Sequence, residues 1–328
     1  MRYLLPLLLL LTRPAAAQSV YSTTDPLAHT FSIVARDPRT GEMAVAVQSH
    51  WFSVGTSVSW GEAGVGVVAT QSFTNKSFGL RGLALLKSGK SAQQALDELL
   101  AADEGRDVRQ VAILDNQGRV ATHTGKKCVD MAGQQQGAQF SVQANMMLNA
   151  TVWGAMAKAY EASAALPLAE RALAALDAAQ AAGGDIRGRQ SAALLVVRGT
   201  TTEGPWADRL IDLRVEDSAA PLPELRRLLR LTRAYDHMNA GDLAVEKNDM
   251  PKAIDEYQAA EKMFPQNLEM KYWHAITLAN KQQLPAALAL LGPIFRAEPN
   301  WRVLTERLPK VGLLTVSAAE LKQILALR

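Results

Sequence analysis

Residues 29–50 read His29-Thr30-Phe31-Ser32-Ile33-Val34-Ala35-Arg36-Asp37-Pro38-Arg39-Thr40-Gly41-Glu42-Met43-Ala44-Val45-Ala46-Val47-Gln48-Ser49-His50. Two short apolar runs, Phe31 to Arg36 and Met43 to Gln48, flank a segment whose Pro and Gly supply a turn. The stretch predicts a β-hairpin. Pairing Asp37 with Glu42 makes partner numbers sum to 79, so Thr30 faces Ser49 and Ser32 faces Val47. Side chains alternate along a strand, which puts Thr30, Ser32 and Val34 on one face with Val45, Val47 and Ser49. Ser49 and its neighbours Gln48 and His50 are therefore expected around Thr30.

Outward from the hairpin, strands and helices come in blocks. Gly64 to Gln71 predicts a third strand, followed by helices at Leu80 to Lys87 and Ser91 to Ala101, where Ser91 and Gln94 fit a capping box. Arg109 to Leu114 and Arg119 to His123 form a second hairpin around Asn116-Gln117-Gly118, and Phe140 to Met147 continues the strands. Alanine-rich helices follow at Thr151 to Ala164 and Leu168 to Ala182, the second stopped by Gly183-Gly184. Ser191 to Val197 and Leu210 to Val215 are again strands, and Pro223 to Leu231 a helix. Blocks of strands between blocks of helices argue against βαβ units and for antiparallel sheets covered by helix pairs. The expected class is α+β, a four-layer αββα sandwich.

The last hundred residues change character and become helical throughout. Ala253, Tyr257, Ala260 and Pro265 recur as Ala287, Leu291, Ile294 and Pro299, each 34 residues on, and Gly241 matches Ala275 at the same spacing. That period, with small residues where paired helices touch and Pro at the end, resembles the tetratricopeptide repeat. The expected organisation is a signal peptide at 1–17, a short leader at 18–29, the sandwich at 30–231 and a C-terminal all-α repeat region at 232–328.

Composition narrows the function classes. The chain has 35 Lys and Arg against 32 Asp and Glu, a near balance that points away from nucleic acid or a strongly acidic partner. Arg2, the apolar run Leu4 to Leu11, and small Ala15 and Ala17 read as a secretory signal cut before Gln18, which implies export to the periplasm or medium. The run is too short for a stable membrane span, which takes roughly 20 apolar residues. Cys128 is the one cysteine, so no intramolecular disulfide forms, and it is expected to be a small buried residue.

Several stretches together carry a family resemblance. They are His29 to Asp37, Ala46 to Trp51, Gly64 to Gln71, Arg109 to Ala112, Thr124-Gly125, Gln143 to Met147, Leu168 to Arg171 and Gly183 to Ala192. In this order they resemble the bacterial "domain of unknown function 1028" over roughly residues 29 to 231. That family is similar to the N-terminal-nucleophile hydrolases, which implies the αββα plan reached above from element order.

The resemblance implies a nucleophile at the start of a strand, with its own free α-amine as base. Thr30 opens the first strand here. An amine of pKa ~8 held against an alcohol takes its proton near neutral pH. The signal cut leaves Thr30 inside the chain, so this chemistry needs a second cleavage between His29 and Thr30. The other reading of Thr30 is a β-branched residue opening a strand. Ser49 and Asn145 are the further catalytic candidates, Asn145 as an amide donor to an oxyanion or as a partner for neighbouring backbone. Gln48, His50, Arg187 and Arg189 are candidate substrate-binding residues. The two arginines either clamp a carboxylate or pair with Asp185 and fix their loop.

The five histidines show no metal-ligand spacing, and the glycines lack the Lys-Ser/Thr of a phosphate loop, so no metal and no cofactor are expected. The functional expectation is an exported hydrolase-like protein cleaving an amide-type bond in a small molecule or peptide, with a repeat tail that binds a protein partner. The alternative keeps the pocket without catalysis, as a ligand-binding or scaffold module of the envelope. A third reading makes the first domain mainly a homo-oligomer interface.

Overall fold

The computed structural model describes residues 27–28 and 30–327, so the signal expected at 1–17 lies outside the described residues. The chain divides into two compact units, Met1–Leu222 and Pro223–Arg328.

In the first unit every strand pairing is antiparallel, and the strands form two sheets. One sheet runs β1 (Leu27–Ala28), β5 (Gly66–Phe73), β6 (Arg109–Asp115) and β7 (Val120–Thr124), with β4 (Ser59–Glu62) also paired to β5. The other runs β11 (Arg209–Val215), β10 (Ser191–Val197), β3 (Met43–Ser49), β2 (Thr30–Arg36), β9 (Phe140–Ala144) and β8 (Gly133–Gly137). The β2–β3 register is Thr30↔Ser49 through Arg36↔Met43, as the turn arithmetic predicts. Asp37 fixes that turn: its N–H donates to Glu42 O at 2.9 Å, and its carboxylate accepts from Arg39 N at 2.8 Å. Gly41 takes φ +77° there, a conformation that disfavours a side chain.

Alternation decides the layers. Val34, Val45 and Val47 of one sheet pack with Val67, Ala69, Ala112 and Leu114 of the other in a single apolar core. On the far face of the first sheet, Val68, Val111 and Ile113 pack under α2 (Ser77–Lys87) and α3 (Ala92–Ala101) through Phe78, Leu96 and Leu99. Helices α4 (Val152–Ala162) and α5 (Leu168–Ala181) cover the far face of the second sheet. The expected capping box closes on α3, with Ser91 Oγ accepting from Gln94 N and Gln94 Oε1 from Ser91 N. Gly183 and Gly184, both at positive φ, end α5. Cys128 is buried, as expected.

The structure adds elements that periodicity does not reveal. Strand β4 has four residues and β8 reads Gly-Gln-Gln-Gln-Gly, so neither offers an apolar alternation. A one-turn helix, α1 (Gly55–Val58), precedes β4. Helix α6 runs unbroken from Pro221 to Glu246, where a short helix ending at Leu231 is expected from sequence. No Gly or Pro falls between Leu225 and Asn239 to stop it.

The second unit continues from α6 through α7 (Met250–Met263), α8 (Leu268–Asn280), α9 (Leu284–Ala297), α10 (Asn300–Arg307) and α11 (Ala318–Leu325). Ala253, Tyr257 and Ala260 of α7 are fully buried, as are Ala287 and Leu291 of α9. Gly241 of α6 lies against the Tyr257 ring, where an added Cβ would sit 2.5 Å from a ring carbon. Tyr235 Oη donates to Glu269, 34 residues on, at 2.6 Å. No described helix is long and apolar enough to cross a membrane.

The Gly241 contact predicts that Gly241→Ala lowers unfolding free energy by about 1–3 kcal/mol through overpacking. Urea denaturation followed by circular dichroism measures it, and an unchanged midpoint contradicts the contact.

Candidate functional site

At one end of the sandwich the layer between the sheets turns from hydrocarbon to amides and hydroxyls. The inward face of β5 runs Val67, Ala69, Gln71, and Gln71 is fully buried. Its Oε1 accepts from Ser32 Oγ at 2.6 Å. Its Nε2 donates to Gln110 Oε1 at 2.7 Å and to Thr30 O at 3.3 Å. One side chain thus ties the two sheets together. Gln110 Nε2 donates onward to Thr124 Oγ1 and to Ala144 O, each at 2.9 Å. Gln143 Nε2 donates to Ser32 Oγ at 2.6 Å.

Thr30 and Ser49 are register partners at this end and both are fully buried. Asn145 follows β9 and joins them: its backbone N–H reaches Thr30 O at 3.1 Å and its Nδ2 the same oxygen at 3.4 Å. Asn145 Nδ2 also donates to Gln110 Oε1 at 2.9 Å. The structure therefore brings Thr30, Ser49 and Asn145 together. Gln48 it does not: alternation turns its side chain to the opposite face, beside Phe31 and Ala192, and both of its amide atoms are buried without a hydrogen-bond partner.

Of the remaining candidates Arg187 and Arg189 sit on the loop before β10, and His50 follows β3 and meets that loop. Its anchor is Asp185, whose fully buried carboxylate accepts from His50 N at 3.2 Å, Arg187 N at 2.9 Å and Arg187 Nη2 at 2.7 Å. Arg187 is thus committed to its loop, the second of the two roles its neighbours allow. Gln190 N donates to Ser49 O at 3.1 Å, which closes the loop onto the Thr30 end. Arg189 is exposed. His50 is half-buried, its Nδ1 without a partner.

Gln71, Gln110, Gln143 and Ser32 complete this candidate site and were not picked out as site residues from the sequence, although they lie in the stretches that carry the resemblance. Their signal is visible only as polar residues at inward positions of otherwise apolar strands. The chain is also strained there: Ser72 and Met146, immediately after Gln71 and Asn145, hold φ of 71° and 58°. Left-handed backbone costs a non-glycine residue roughly 1–2 kcal/mol, and such strain concentrates at functional sites. Arg109, buried beside Gln110, is held by Asp103 at 2.8 Å and donates to Phe73 O at 2.6 Å. Cys128 packs nearby with Sγ 3.4 Å from Arg109 O, and burial pushes its thiol pKa up. Among the described residues no group of three or more His, Cys, Asp or Glu is placed to hold a metal ion.

Residues 30–225 match the family of unknown function DUF1028. The chain belongs to that family. A crystal structure of the DUF1028 protein SPO2555 from Silicibacter pomeroyi is similar with a TM-score of 0.56 and 32% identity, covering 62% of this chain and 88% of that one. No curated protein matches the chain. The matched DUF1028 region begins at Thr30 and contains the whole amide network, while helices α7 to α11 lie beyond it.

Two outcomes follow for this end of the DUF1028 domain. Gln110→Leu strips the acceptor from Gln71 and Asn145, and each stranded buried amide costs about 1–3 kcal/mol, so the denaturation midpoint should fall markedly. Cys128 should react with a disulfide reagent at pH 7 more than about a hundredfold slower in the native chain than in urea, since the thiolate is the reactive form. Comparable rates would mean the thiol is open to solvent.

Proposed function

We propose that the DUF1028 domain is an amidohydrolase of the N-terminal-nucleophile type, with the αββα layering of that superfamily and Thr30 as nucleophile after cleavage of the His29–Thr30 bond. One observation carries the reading. Thr30 is the first residue of both β2 and the family match, while β1, ending at Ala28, pairs into the opposite sheet at Ser72. Ala28 and Thr30 thus lie in different sheets, with the bond to be cut in the interval between them, at the end where amides replace hydrocarbon.

Cleavage there gives Thr30 an α-amine of pKa ~8, matched to deprotonating its own Oγ1 near neutral pH. Oγ1 attacks the substrate carbonyl, the amine takes the hydroxyl proton, and that proton passes to the departing nitrogen as the C–N bond breaks. Water then cleaves the Thr30 ester by the reverse traffic. Asn145 Nδ2 donates to Gln110 Oε1 at 2.9 Å and to Thr30 O at 3.4 Å, and in this reading it turns to a developing oxyanion by giving up the longer of the two bonds. The substrate class is an amide in a small molecule or peptide. The signal-like N-terminus supports export. The Tyr235–Glu269 bond at a 34-residue spacing and the Gly241–Tyr257 contact support a tetratricopeptide-like tail that docks a protein partner.

Mass spectrometry of the protein recovered from its native envelope tests this reading. A mature N-terminus at Thr30, with amide hydrolysis that Thr30→Ala abolishes, is the expected result. A mature chain that begins at Gln18 and shows no turnover assigns the site to ligand binding without catalysis.

A further inference from the structure

Among the described residues strand β4 pairs with β5 alone, on one edge, and its other edge opens into a cleft of about 450 Å³. None of the cleft's lining residues belongs to the amide network at Thr30. Sheet size explains the opening: β10 packs over β4, and β11 extends the second sheet one strand further. Two unlike walls result.

One wall is apolar, made of Trp60, Leu80 and Leu83. Gly79 lets the Trp60 ring lie flat on α2, because an added Cβ would meet that ring at 2.2 Å. Leu80 beside it is 63% exposed, unusual for a leucine on a helix that packs on a sheet. The other wall is charged. The register Ala193↔Arg214 and Leu195↔Asp212 puts these residues on the same face of β10 and β11, toward the cleft. Asp212 accepts from Arg209 at 2.8 Å and Arg214 at 3.1 Å, two guanidiniums on one carboxylate; Glu62 and Asp208, which also line the cleft, are paired outward with Lys87 and Arg198, so one positive charge is left in surplus.

The floor between the walls is backbone. Gly61 lets β4 pack against Leu195 and Val67, where an added Cβ would sit 3.1 Å from each, and Ser59 Oγ lines the cleft as a buried hydroxyl without a hydrogen-bond partner. The two outer strands differ in protection. Edge strands are commonly guarded by charges, and β11 carries Arg209, Asp212 and Arg214 along its length, whereas β4 reads Ser-Trp-Gly-Glu.

We propose that this edge binds an extended peptide segment of another protein by strand addition, the segment alternating apolar and acidic residues. A strand turns successive side chains to opposite faces, which matches one apolar and one cationic wall flanking a strand edge. The four residues of β4 span about 13 Å, enough to register a segment of similar length.

Fluorescence anisotropy of a labelled Leu-Glu-Leu-Glu-Leu peptide against the full chain tests the proposal. Saturable binding is expected, weakened about tenfold or more when alternate peptide amides are N-methylated, the loss of roughly one hydrogen bond or more. Leu80→Glu should weaken binding comparably while leaving circular dichroism unchanged. If that variant fails to fold, the N-methylated peptide on the wild-type chain still decides. Equal binding of both peptides, or no saturation at millimolar peptide, overturns the proposal. So does self-association that consumes the edge, seen as a sedimentation coefficient rising with protein concentration and abolished by Leu80→Glu, since the occupant is then a second copy.

Discussion

The amide of Gln71 is the contact on which the first unit's arrangement turns. Elsewhere the sheets meet through valine, leucine and alanine, which tolerate sliding; at Gln71 they meet through directional hydrogen bonds to Ser32, Thr30 and Gln110. A one-residue slip of β5 would turn Gln71 away and bring Ser72 or Thr70 inward. Stranded buried amides make such a slip costly, so the network selects one register where hydrocarbon packing alone selects only a face.

Much of this frame was legible in the chain. The turn at Asp37 to Glu42 fixed the β2–β3 pairing because a two-fold side-chain period admits only one register for a given turn. Ser91-x-x-Gln94 and Gly183-Gly184 were legible for the same local reason: capping and left-handed backbone depend on a few consecutive residues. Gln71 and Gln110 were not, because these neighbours on β5 and β6 take their roles from residues of the opposite sheet or beside it, Ser32 39 positions from Gln71 and Asn145 35 positions from Gln110. Gln48 shows the converse. It neighbours Ser49 in sequence, yet alternation carries it to the other side of the sheet. Strands β4 and β8 escaped because their pairing partners, not their own composition, make them strands.

The single chain also treats its strand edges in different ways. On β11 the run Arg209-Leu210-Ile211-Asp212-Leu213-Arg214 places charges where another strand would have to dock. On β8 three glutamines sit in the edge position, polar but able to pair. The four-residue β4, Ser-Trp-Gly-Glu, has neither device beyond the single charge of Glu62. Each device limits unwanted pairing at a different cost in specificity, and together they show that the sandwich is not closed by geometry alone.

The side chains described in the network at Thr30 are hydroxyls and carboxamides: Thr30, Ser32, Ser49, Gln71, Gln110, Thr124, Gln143 and Asn145. None changes charge between strongly acidic and strongly basic solution. Most hydrolytic centres are assembled from ionisable side chains whose titrations overlap. These side chains are electrically silent, so if cleavage frees the Thr30 α-amine, its ionisation with a midpoint of ~8 would not be overlaid by theirs, and the adjoining His50–Asp185–Arg187 cluster supplies ionisable groups of its own.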